Sequence, residues 1–139
     1  MKRITALALF AIASLATSAG LIAQQPGMKA NIPFDFTVGN TWLPAGEYTI
    51  SSPLQEVIRL RNADSTAAAM VVSIHSDQES RSGSELVFVK YGDRYFLHRV
   101  LCPSNSAMNL DVAAGKAEKE ARIQQAKLHT GKQVLVAAR

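Results

Sequence analysis

The chain of 139 residues contains one cysteine, Cys102, so no disulfide can form within it and its stability has to come from packing. A lone thiol of this kind is read as a small, partly buried apolar residue. There is no GxSxG elbow, no HExxH or HxH spacing and no glycine-rich phosphate loop, and Cys102 is followed by a proline with no basic neighbour. Nucleophilic, zinc-protease and nucleotide chemistry therefore have no motif to rest on. No enzyme activity is expected and no cofactor is implied. Strong charge is lacking too. Fifteen basic residues face eleven acidic ones, and no dense basic face of the kind that grips nucleic acid is present. Aromatic residues make up only 6% of the chain, and no apolar run approaches the length that spans a membrane as a helix.

What is present begins with Met1, Lys2 and Arg3, followed by an apolar run from Ile4 to Ala16 and then Thr17, Ser18, Ala19 and Gly20. A charged start, a short apolar stretch and a small-residue exit are the parts of a cleavable secretory signal. Thirteen helical residues would reach only about 20 Å, against a hydrocarbon core of about 30 Å, so a retained anchor is not expected. Cut sites after Ala19 and after Ala23 both fit. The second is preferred, because Leu21 and Ile22 then leave with the signal, and residues 1–23 are assigned to it. Loss of Lys2 and Arg3 leaves thirteen basic and eleven acidic residues. The remaining 24–139 is long enough for one domain with a modest core. The expected location is periplasmic or extracellular.

Within that domain the signal is one of strands, with a β core over 30–112. Ile32, Phe34, Phe36 and Val38 alternate with Pro33, Asp35 and Thr37, the period of a strand with one buried face. Pro33 cannot donate to a ladder, so it belongs at an edge or near a strand start. Gly39 and Asn40 form a turn. Pro44, Ala45 and Gly46 are read as a three-residue hairpin loop that returns the chain through Glu47–Ser52. Val57–Arg61 is a further one-sided strand, followed by a turn at Asn62–Ser65. Ala67–His75 is a longer strand, in which Met70, Val72 and Ile74 share a face and Val71 partly covers the other. Ser76–Ser84 is a polar loop.

Glu85–Leu101 carries the strongest local pattern, two β-rich runs joined by Gly92 and Asp93 in a type II′ turn. That turn sets Tyr91 opposite Arg94, Val89 opposite Phe96, Val87 opposite His98 and Glu85 opposite Val100. Lys90 then faces Tyr95, Phe88 faces Leu97 and Leu86 faces Arg99. Both faces come out largely apolar, which requires a covering layer on each side, the C-terminal segment being one. Ala107–Val112 is read as a short strand, Ala113–Leu128 as a mainly exposed helix with a thin alanine stripe, and Gln133–Ala137 as a last strand. Glu118 and Glu120 interrupt the lysines and arginine of that helix, so it is read as a solvated face. The fold class expected is all-β: six to eight short antiparallel strands in a small β-sandwich or partly open barrel, with one C-terminal helix.

Two stretches, PFDFTVG with LPAGEYT (Pro33–Thr49) and YGDRYFL (Tyr91–Leu97), resemble a family of small exported bacterial proteins of uncharacterised function. The resemblance implies export but brings no activity, ligand or catalytic residue. Leu43–Ile50 is also similar to the proline-glycine-tyrosine edge of immunoglobulin-like and transthyretin-like sandwich domains, although a tight hairpin alone selects such residues.

The functional expectation is a non-enzymatic structural or binding module of the cell envelope. Trp42, beside a turn, and Pro33 are the candidate partner surface, and the partner is an unidentified envelope protein or a second copy. The rival reading is a periplasmic carrier of a small ligand or metal in the interior or mouth of the β structure. His75 and His98 are its weak metal candidates, with Asp77 or Glu79 beside them. His129 has no partner in the pattern.

Overall fold

The computed structural model describes residues 27–80, 82–126 and 132–139. The signal segment, Arg81, the end of the expected helix at 127–128 and His129 lie outside them.

Ten strands form one sheet: β1 (Met28–Ile32), β2 (Phe36–Val38), β3 (Thr41–Leu43), β4 (Gly46–Leu54), β5 (Val57–Asn62), β6 (Ala68–His75), β7 (Glu85–Tyr91), β8 (Arg94–Leu101), β9 (Leu110–Val112) and β10 (Lys132–Ala137). A 3-10 turn at Ser106–Met108 precedes β9, and one helix, α1 (Lys116–Ala126), lies between β9 and β10. The strands run in the order β1-β4-β5-β6-β9-β8-β2-β3, with β7 and then β10 branching from β8. The sheet is open, although Lys29 and Arg139 exchange two backbone hydrogen bonds that bring the β1 and β10 ends together. All pairs are antiparallel except β2 with β8, where Phe36 lies opposite Tyr95 and Thr37 opposite Phe96. The architecture is all-β as expected, with more strands than the six to eight anticipated and one parallel pair.

The alternating run from Ile32 to Val38 is two strands. Met28, Ala30 and Ile32 put one face of β1 into the core, the chain then leaves the ladder at Pro33, and β2 starts at Phe36 with all three residues buried. Pro33 supplies no ladder donor, so this is where the chain crosses from pairing with β4 to pairing with β8. The expected hairpin across Pro44–Gly46 is likewise corrected, since β3 pairs with β2 while β4 pairs with β1 and β5. The motif makes a corner between the two. Ala45 N donates to Asp35 Oδ1 at 2.9 Å and the Tyr48 hydroxyl donates to the Pro44 carbonyl at 2.6 Å. Gly46 has φ +152, and a Cβ there would stand 2.8 Å from Asn62 Nδ2.

Met70, Val72 and Ile74 do share a face of β6, and it is the exposed one, while Ala69 and Ser73 are buried. The preceding turn decides this. Asn62 Oδ1 accepts from Asp64 N and Ser65 N, and Asn62 N donates to the Ala67 carbonyl. That geometry sets Leu60 opposite Ala69 and Ile58 opposite Val71, so the residues facing buried Ile58 and Leu60 turn inward with them.

The β7–β8 hairpin follows the expected pairing from Tyr91–Arg94 through Phe88–Leu97, with Gly92 at φ +61 in the turn. Beyond that, His98 is bulged out, and the pairs are Val87 with Arg99, Leu86 with Val100 and Glu85 with Leu101. Strict alternation from Leu97 would have driven Arg99 into the core and Val100 out of it. The extra residue instead lets Leu97 and Val100 both join the core, while Arg99 bonds Asp111 and Gln78.

The main core gathers Ile32, Phe36, Tyr48, Ile58, Leu60, Leu86, Phe88 and Leu97 with their neighbours. Burying each large side chain contributes about 1.5–3 kcal/mol. The two signature stretches meet here: Phe34 stacks on Tyr95 at 3.9 Å between centroids, and Phe36 meets Phe88 edge-on at 5.4 Å. Val87, Val89, Phe96 and Leu101 are buried outside that cluster, on the opposite face of the hairpin, as is Ala121 of α1. The hairpin is thus covered on both sides. The helix begins at Lys116, whose N–H donates to Asn40 Oδ1, three residues later than the alanine-rich composition suggested.

Candidate functional site

Three surfaces hold the side chains singled out above. The first is at β3, the terminal strand of the pairing path, whose one ladder among the described residues is with β2. Trp42 lies opposite Thr37 there; Thr37 is buried, and the indole stands 62% exposed. Trp42 borders a hollow of about 360 Å³ shared with Asp35, Asn40, Asp93, Arg94 and Tyr95. Arg94 also lies over the Phe96 ring at 5.2 Å, which fixes one cationic group near the tryptophan. Pro33 is exposed at the end of β1 but is not among the residues lining this hollow, so the two expected partner-surface residues do not form one patch there.

A second apolar surface was missed by the sequence reading. Met70, Val72 and Ile74 stand in a row on the outer face of β6, with Val57 opposite Val72 and Arg59 opposite Met70. Gly39, in the β2–β3 turn, places its backbone against Val71 of the same strand, so β6 and the Trp42 edge are neighbours. The signal that could have found this stripe was the Asn62 turn, which sets the register.

The third surface is the groove where α1 crosses the outer face of β7, β8 and β10, about 480 Å³ lined by Tyr91, His98, Arg122, Gln125 and Gln133, among others. His98 reaches it from the bulge, and its Nδ1 has no hydrogen-bond partner among the described residues. Glu118, expected on a solvated face, is only 5% exposed. Burial pushes its carboxyl above the ordinary value, and the charges of His98 and Arg122 pull it partly back. Burial, with Glu118 adding to it, also raises Tyr91. The spacing of Glu118, Ala121 and Gln125 on one helical face was the overlooked clue.

His75 and His98 do not come together. His75 ends β6 and lines a different cavity, beside Glu56, Asn105 and Met108. Among the described residues no three His, Cys, Asp or Glu side chains are grouped to hold a metal ion. Cys102 is buried, with Ser104 Oγ at 3.3 Å and Ser84 Oγ at 3.6 Å from its sulfur. Burial raises its thiol, and hydrogen bonds from Ser104, Ser84 and nearby backbone outweigh that, leaving it below the ordinary value.

No family model, curated protein or solved structure matches the chain. Among the described residues no helix is long and apolar enough to cross a membrane.

Proposed function

We propose that the protein is an exported, non-enzymatic module of the cell envelope that works by contact, capturing an envelope protein or a second copy of itself. The observation that carries the reading is Trp42, a tryptophan left 62% exposed on the terminal strand of the sheet. A large amphipathic ring on the terminal strand of a sheet is the kind of group that partner surfaces use as an anchor. The exposed row on neighbouring β6 adds apolar area of the kind that a solitary domain seldom leaves uncovered. Export rests on the N-terminal pattern of Lys2, Arg3 and the apolar run after them.

The test is capture from envelope extract, with analytical ultracentrifugation for self-association. Trp42→Ala is expected to weaken capture or self-association at least tenfold while circular dichroism and melting stay unchanged. His98→Ala, which changes the layer beneath α1, is expected to act on stability and leave capture intact. Unaltered capture by the Trp42 variant would remove the edge from consideration.

A further inference from the structure

The turn that joins β4 to β5 contains an anomaly of backbone conformation. Glu56 has φ +59, the only non-glycine residue at positive φ among the described residues. Side chains with a Cβ rarely adopt this region, and glycine or asparagine is the usual occupant of such a turn position. Strain of this sort is retained where the side chain is wanted for something else. The Glu56 carbonyl accepts from Ser73 N at 2.8 Å, so the turn is bound to β6 and the strained residue has a fixed place.

Glu56 lines a cavity of about 450 Å³ at this end of the sheet. Its apolar wall includes Met108 and Leu110, both buried, together with Leu54, whose side chain is 69% exposed. The polar groups around it include Glu56, His75 and Asn105. No lysine or arginine is among its described lining residues, although the chain as a whole carries an excess of positive charge. Volume, apolar wall and a few polar groups are the attributes of a small-molecule site.

We infer that this cavity binds a small hydrophobic ammonium, a primary amine on an apolar body, with Glu56 as its counter-charge. An ammonium has three N–H donors and no acceptor. Three of the side chains lining the cavity can accept a hydrogen bond: the Glu56 carboxylate, a ring nitrogen of His75 and the Asn105 side-chain carbonyl. Leu54, Met108 and Leu110 take the apolar body. An anionic ligand would meet the Glu56 carboxylate with no lysine or arginine among the described lining residues to offset it, and a neutral one would gain nothing from that charge. The site is separate from the Trp42 edge, so the two stand or fall independently.

Hexylammonium is the probe, with hexanol and hexanoate as controls, followed by amide shifts of the full chain in solution. Hexylammonium is expected to saturate, at least tenfold tighter than either control, with the largest shifts at Glu56, His75 and Met108. Glu56→Gln should lower the affinity at least tenfold. Glu56→Gly should lower it as much while raising the melting temperature by a few degrees, because glycine accepts the positive φ. His75→Ala should weaken binding, and Trp42→Ala should leave it unchanged. Equal binding of hexanol, absence of saturable shifts at Glu56, or full affinity in Glu56→Gln would each overturn the assignment.

Discussion

The hydroxyl of Tyr48 donates to the carbonyl of Pro44, 2.6 Å away, from a side chain that is fully buried. This bond explains why leucine, proline, alanine, glycine and tyrosine occur together between Leu43 and Tyr48. Proline ends β3, Gly46 supplies the conformation no other residue takes easily, and Tyr48 ties the corner from inside the core. Asn62 also hydrogen-bonds the hydroxyl. Tyr48→Phe is expected to cost about 1 kcal/mol, since it leaves a part-buried carbonyl short of a donor. Gly46→Ala should cost more than about 1 kcal/mol, because its Cβ meets Asn62 Nδ2 at a positive φ. Urea denaturation of both variants measures this, and an unchanged midpoint for Gly46→Ala would show that the corner gives way freely.

Strand content and the β7–β8 turn were legible in the sequence because period two and a glycine-led loop are local signals. The facing of β6 was not. Both of its faces carry residues that suit a core, and the choice between them lies in a turn six residues upstream of Ala68 and in the pairing with β5. A direct consequence concerns Ser73, which is 1% exposed and whose hydroxyl has no partner among the described residues. Ser73→Ala should be neutral or stabilise by up to about 1–2 kcal/mol. Val72→Thr on the exposed face should stay within about 0.5 kcal/mol of the parent. A large loss for Val72→Thr with none for a bulky polar residue at 73 would mean that the face of Met70, Val72 and Ile74 is the buried one.

The N-terminal pattern makes its own statement. Protein recovered from the cell envelope should begin at Gln24 or at Gly20, the residues after Ala23 and Ala19. Intact-mass measurement distinguishes the two. Recovery there of a chain still carrying Met1 would refute export by a cleaved signal.

The candidate surfaces were only partly legible, and the groove under α1 shows why. Trp42 announced itself by standing beside a turn, whereas Glu118 and His98 acquired their setting from tertiary events: a bulge in β8 and the docking of a helix. Glu118 is buried and its carboxyl lies above the ordinary value of 4.5, which means the folded state binds a proton more readily than the unfolded one does. Its contribution to stability is therefore fully present below about pH 4.5, and is lost as the pH rises through the raised folded value. The groups facing it bound the effect: a positive charge on His98 of β8 and Arg122 on the helix itself favour the ionised form, and Tyr91 of β7 adds no charge until alkaline pH. Helix α1 should hold the sheet more firmly in mild acid than at neutral pH. Amide hydrogen exchange in Lys116–Ala126, corrected for the intrinsic pH dependence of exchange, measures that grip directly. Glu118→Gln keeps the shape and removes the titration, so protection of α1 in this variant should no longer change across that window and should exceed the parent's at neutral pH. Protection that falls on acidification in the parent, or a pH dependence surviving in Glu118→Gln, would mean that another group governs the helix.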